Sequence, residues 1–310
     1  MPILTRPSGP PTGGLNPPPL FPSESPDIAW TDARGRTTLL SDWENGWLLQ
    51  PGTRGLDMPA WTPYTDESPA IDGNALRGVR ATAREVFVPV VFFDTDRSTF
   101  LERKRAFMGT LNPYLGLGTL TVTEADGSAR TIGAYYLSGA EGDTGQDTSG
   151  MRWQTVGLTF SCPSPYWLGD PQHLQFNGAA TGTFFPVLPL VVQDSQVFGD
   201  TTITNLGDAA AYPVWTIHGP ATSVEISNAT TGLSFSLTAA IGAGDVLVVD
   251  TREREQTAVL NGTDNWWPNL SDSSALWNLA PGVNDISLAM VGTTSDSSVH
   301  VDYQLRYLTA

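Results

Sequence analysis

The string HVDYQLRYL (residues 300–308) alternates strictly: Val301, Tyr303, Leu305 and Tyr307 are apolar, while His300, Asp302, Gln304 and Arg306 are polar. Side chains of a strand change face at every residue, so this string offers one face to a core and the other to water. The pattern recurs upstream. In SVEISNATTGLSFSL, Val224 and Ile226 mark one strand, NATTG a turn, and Leu233, Phe235 and Leu237 the return. NDISLAMVG puts Ile286, Leu288 and Met290 on one face, and DVLVVDT reads as a short buried strand. In GDAAAYPVWTIHGP, Pro213 opens a strand where a missing donor matters least. Trp215 and Ile217 share one face of it, with Trp215 the core candidate. Strands of this kind joined by tight turns cover their apolar faces only by packing against a second sheet, so this part reads as a sandwich or jelly roll.

The first half carries the same grammar with one interruption. DIAWTDARGRTTLL reads as a hairpin turning at Arg34-Gly35, and GTLTVTEADGSARTIGAYYLSG as another turning at Asp126-Gly127. REVFVPVVFFD reads as a long strand broken or edged at Pro89, and MRWQTVGLTFSC as a strand ending before PSPYWLGDP. Between them DRSTFLERKRAFMGTLNP has helical spacing, with Phe100, Leu101, Phe107, Met108 and Leu111 on one face. Asp96 is its N-cap and Asn112-Pro113 its stop. Prolines 163, 165 and 171 suggest a domain boundary. The expected organisation is a Pro-rich extended arm over 1–26, a β domain over 27–171 and a β-sandwich over 172–310.

Composition removes several function classes. Asp and Glu outnumber Lys and Arg 32 to 16, for a net charge of −16, which repels phosphate backbones and argues against sequence-reading nucleic-acid binding. Cys162 is the only cysteine, so neither an intrachain disulfide nor a cysteine-rich zinc site is available, as fits a reducing cytoplasm. The apolar runs VFVPVVFF and FFPVLPLVV are too short to span a membrane, and no secretory signal is read at the first residues. His173, His218 and His300 are far apart in sequence and read as ordinary polar residues. No nucleophile elbow or phosphate loop is present. Asp143 and Asp147 lack the ligand ladder of a calcium loop, and no acidic pair is marked out for glycoside hydrolysis. No metal, cofactor or catalytic residue is expected. The sequons at Asn228, Asn261 and Asn269 read as chance.

Three surfaces remain as candidates. Trp266, Trp267 and Trp277 lie in the polar stretch DNWWPNLSDSSALWNL, where they either stack on a glycan or cap the end of the sandwich. Arg103, Lys104 and Arg105 form a basic patch on the helix, either solvated or set against an acidic neighbouring subunit. Leu20 and Phe21 are the apolar anchors by which the Pro-rich arm would lie along another subunit.

The order of the pieces carries a resemblance. A helix is followed by ADGSAR with YYLSG and by a strand into PSPYW. Then come NLGDAAAYPVWTIHGP, ISNATTG, VDTREREQTAVLNG and LWNLAPGVNDISL. Over residues 75–310 this resembles the distal tail proteins (Dit) of siphovirus-type phages, and most of all the minor tail proteins of phages that infect actinobacteria. The resemblance implies a mainly β chain: a tail-tube-like N-terminal β domain with one α-helix, and a C-terminal galectin-like β-sandwich. It implies a non-enzymatic virion protein, assembled in the host cytoplasm, whose copies form a ring, usually a hexamer. That ring joins the tail-tube protein to the tail-tip hub protein and carries receptor-binding proteins, with the tape-measure protein as a further neighbour. DNA passes through such a ring without being read. A carbohydrate-binding sandwich protein that contacts host-surface glycans is the alternative reading.

Overall fold

The computed structural model describes residues 26–67, 70, 72–142, 152–177, 195–197 and 199–310. Arm residues 1–25, with Leu20 and Phe21, lie outside the described residues, as do Asp143, Asp147 and the run FFPVLPLVV. The chain is mainly β. It opens with β1 (Asp27–Thr31), β2 (Thr37–Leu39), β3 (Trp47–Leu49), β4 (Trp61–Glu67), β5 (Asn74–Ala81) and β6 (Arg84–Phe93). Helix α1 (Arg97–Thr110) follows, then β7 (Gly118–Thr123), β8 (Ala129–Ser138), β9 (Trp153–Cys162) and β10 (Trp167–Asn177). The second half comprises β11 (Ser195–Val197), β12 (Asp200–Asn205), β13 (Val214–His218), β14 (Ser223–Asn228), β15 (Leu233–Leu237) and β16 (Val246–Asp250). It ends with β17 (Thr257–Leu260), β18 (Asp264–Asn265), β19 (Gly282–Val291) and β20 (Ser298–Tyr307). No helix among the described residues is long and apolar enough to cross a membrane.

Two separate cores hold these elements. The first gathers Ile28 and Trp30 of β1, Val86 to Phe92 of β6, and the inward faces of β7, β8 and β9. Helix α1 closes it. The Asp96 carboxylate accepts from the Ser98 and Thr99 amides, capping donors that the first turn leaves unpaired. Phe100 and Phe107 then pack on Phe92, and Phe107 also on Trp47. Burying a ring of this size contributes about 2–3 kcal/mol. Leu111 is buried with them, and Leu101 and Met108 are half-buried against the same core.

β6 is not broken at Pro89. It pairs along all of its length with β9, from Arg84 opposite Cys162 to Phe93 opposite Trp153. The Pro89 carbonyl accepts from Gln50 on the other flank, just past the end of the β3 ladder at Leu49–Val90. The missing proline donor therefore falls in the gap between that ladder and the isolated Arg54–Phe87 bridge, so the strand continues. Where β8 shifts register beside β9, Gly139 has φ of +101°. A Cβ there would strike the Gly157 carbonyl.

The second core lies between two sheets. One runs β18-β17-β16-β13-β20-β10, and the other β12-β19-β14-β15. Trp215, Ile217, Leu247, Val249, Val299 and Val301 face Ile226, Phe235, Ile286 and Leu288 across this sandwich. Trp215 is fully buried, and the alternation of the last strand holds: Val299, Val301, Tyr303 and Leu305 are all buried. β10 links the halves, because Trp167 belongs to the first core and Phe176 to the second. Pro171 lies within this strand, where the register with β20 shifts between Leu168 and Pro171. The 171/172 boundary read from the prolines thus falls inside a strand.

Candidate assembly surface

β4 and β5 form a hairpin that, among the described residues, pairs with no other strand. Its register puts Trp61 opposite Ala81 and Pro63 opposite Val79 on one face. After a shift between Tyr64 and Thr65, Thr65 meets Leu76, which shares the other face with Gly78 and its partner Tyr64. Trp61, Tyr64, Leu76 and Val79 are 42%, 49%, 64% and 56% exposed, and no described hairpin side chain joins either core. An isolated two-stranded hairpin is marginal in water, and one with large apolar groups on both faces is built to be covered. Its open edges also offer unpaired backbone donors and acceptors.

The three candidate tryptophans do not form one surface. Trp277 is 2% exposed and sits inside the sandwich, with its ring 5.2 Å from that of Trp215 and 6.5 Å from that of Phe235. This corrects its reading as a glycan or partner contact: LWNL places it on an inward-facing segment beside buried Leu279, not in the solvent loop. Trp266 is half-buried against the same core. Trp267 alone is well exposed, at 45%.

The basic residues of α1 divide as well. Arg103 is spent within the chain: it pairs with Asp94 at 2.9 Å and donates to the Asn45 and Phe93 carbonyls. Lys104 is half-buried and Arg105 exposed. A shallow 390 Å³ depression beside them is lined by Arg36, Trp47, Arg103 and Phe107. Cys162 is buried in the first core beside Arg84. Burial pushes its thiol up to about 12 despite that cation, so it is no nucleophile. Among the described residues no cluster of His, Cys, Asp or Glu suits a metal ion. Asn228, the acceptor residue of its sequon, is fully buried, where its side-chain oxygen accepts from the Thr230 amide in the turn to β15.

Residues 206–307 match the family model of the siphovirus-type tail component, C-terminal domain. No curated protein sequence matches the chain. In fold, the chain is similar to the crystal structure of the phage SPP1 Dit (gp 19.1) protein, described as a paradigm of the hub adsorption apparatus in phages that infect Gram-positive bacteria. The TM-score is 0.63 at 17% identity, over 90% of this chain and 98% of that one. A chain of the phage P2 baseplate in its activated conformation with Ca follows at 9% identity and a TM-score of 0.48, over 91% and 97%. The resemblance read from the residue strings is borne out, by the family model over residues 206–307 and in fold over most of the chain.

The matched stretch, Leu206 to Tyr307, contains Trp215, Trp266, Trp267 and Trp277. It also contains two of the three histidines, and here sequence reading missed an arrangement. His218, His300 and His173 stand in a row across β13, β20 and β10, with ring centroids 4.9 Å and 5.5 Å apart. Their separation in sequence hides this. The signal that could have found it is parity: each occupies an outward position of a strand whose neighbours alternate inward.

Proposed function

We propose that this chain is a structural subunit of the tail tip of a long-tailed phage. In this reading copies of it close a ring, six to a turn, that joins the tail tube to the tail-tip hub and the receptor-binding apparatus. The observation that carries the reading is the match of residues 206–307 to the tail-component domain. The likeness to SPP1 Dit over nearly the whole of that chain supports extending it to the first half. The two separate cores support a division of labour, with a ring-forming part over 27–171 and a peripheral galectin-like sandwich over 172–310. The hairpin β4–β5 supports self-association, because identical subunits in a closed ring need a projecting surface that meets a different surface on the next copy. Arg105 and Lys104 are offered to the same interface, as are Leu20 and Phe21. The role needs no catalysis, and its place is the virion.

Light scattering on the purified full chain, with negative-stain imaging, tests this. The expected result is a closed ring with a mass near six chains. A monomer that binds glycans through the exposed Trp267 would overturn it in favour of a carbohydrate-binding protein.

A further inference from the structure

The row His218–His300–His173 holds every histidine of the chain. His300 lies at its centre on β20, opposite Thr216 of β13 and Gln175 of β10. His218 and His173 sit on its two diagonals, opposite Ser298 and Asp302. All three project from the outward face of the sheet, since Val299 and Val301, the neighbours of His300, point into the core. The row crosses β10, the strand that enters both cores.

We propose that this row is a pH-responsive seam, which on charging pushes β13, β20 and β10 apart and loosens the join between the halves of the chain. The balance of facing charges favours this. On β20 the one carboxylate beside the row is Asp302, already 2.7 Å from His173 Nδ1. On β13 the other outward positions are Val214 and Thr216, and on β16 they are Val246, Val248 and Asp250, the last paired with Arg252 at 2.6 Å. β11 carries no titratable residue. On β10 the carboxylate is Asp170, at the register shift with β20, and Asp245 before β16 accepts from the Gly242 amide and the Asn261 side chain. Asp302, the one carboxylate paired within the row, cannot balance three imidazolium ions in line.

His300 is held below its ordinary 6.5, first by burial and then by His218 and His173, with Asp302 opposing. An unfolded chain therefore takes up this proton at higher pH than the folded one. The stabilisation is complete above the unfolded value and is lost as pH falls past it toward the folded value. Side-chain carboxylates titrate mostly below that window.

The test follows the imidazole signals of the full chain by NMR between pH 8 and 5, and compares thermal midpoints at pH 7.5 and 5.0 for the wild type and His300→Gln. His300 is expected to titrate below 6.5, and the wild type to lose about 2–4 °C more than the variant across that range. Titration of His300 at or above 6.5, or equal losses in both proteins, overturns the proposal. Should His300→Gln fail to fold, His218→Gln serves instead. It is expected to raise the His300 midpoint toward 6.5, and an unmoved midpoint overturns the proposal.

Discussion

Arg84 is 3% exposed and is held by carbonyls rather than by a carboxylate. Its guanidinium donates to Pro165 at 3.0 Å, Gly55 at 2.8 Å and Leu308 at 2.6 Å, and also to Asp57. Ala310 donates to Leu56 at 2.8 Å, and Arg130 to the Thr309 carbonyl at 2.8 Å. The segment after the last strand is thus clipped onto the first core, and Arg84 ties three distant stretches of chain to its own strand. Arg84→Met keeps the volume and strands those oxygens. Each buried unpaired acceptor costs about 1–3 kcal/mol, so a loss of at least ~3 kcal/mol is expected in urea unfolding. A change under about 1 kcal/mol would show that water takes over its role. None of this could be read from REVFVPVVFFD, where Arg84 looks like a polar lead-in to a strand. Trp215 was legible because its own alternation set its face. Trp277 was not, because it sits in an irregular segment whose period carries no information.

At the scale of elements, much of what is fixed by neighbours in sequence was legible, though the hairpin β4–β5 was not. Helix α1, its Asp96 cap and the two N-terminal hairpins stand where spacing and turn residues put them. β10 was missed because Pro171 and Gly169 lie within it and two more prolines just before it, while its pairing with β20 is set by residues more than a hundred positions away. Pro89 misled for a similar reason, since only the tertiary partner decides whether an absent donor matters. The Asp96 cap yields a prediction with a sign. Hydrogen bonds from the Ser98 hydroxyl and the Thr99 amide hold its carboxyl at about 2, below the ordinary 3.8. Its contribution is therefore full above 3.8 and disappears as pH falls through about 2. Asp96→Ala is expected to lower the thermal midpoint by roughly 1–2 °C at pH 6. That gap should narrow steadily between pH 4 and pH 2.5. A constant gap would mean the side chain acts through something other than its ionised cap.

Among the described residues of the whole molecule, two buried cores stand beside a projecting hairpin that belongs to neither. Trp61, Tyr64, Leu76 and Val79 on β4 and β5 are exposed and, among the described residues, belong to neither core. If the hairpin closes the ring, charging its two faces should abolish assembly while leaving each subunit folded. Trp61→Asp with Val79→Asp strikes one face, and Tyr64→Asp with Leu76→Asp the other. Interface tryptophans commonly contribute about 2 kcal/mol or more, roughly a thirtyfold change per contact, and each subunit of a ring makes the contact twice. Light scattering of the first pair should therefore give mainly monomer at concentrations where the wild type is a ring. Thermal midpoints measured on dissociated wild type and variant should agree within about 2 °C, because exposed sites away from a core change stability little. An intact ring in both variants would move the interface elsewhere, to the Arg105 side of α1 or to the segment before β1. Loss of the ring together with a large drop in midpoint would show that the hairpin serves its own subunit instead.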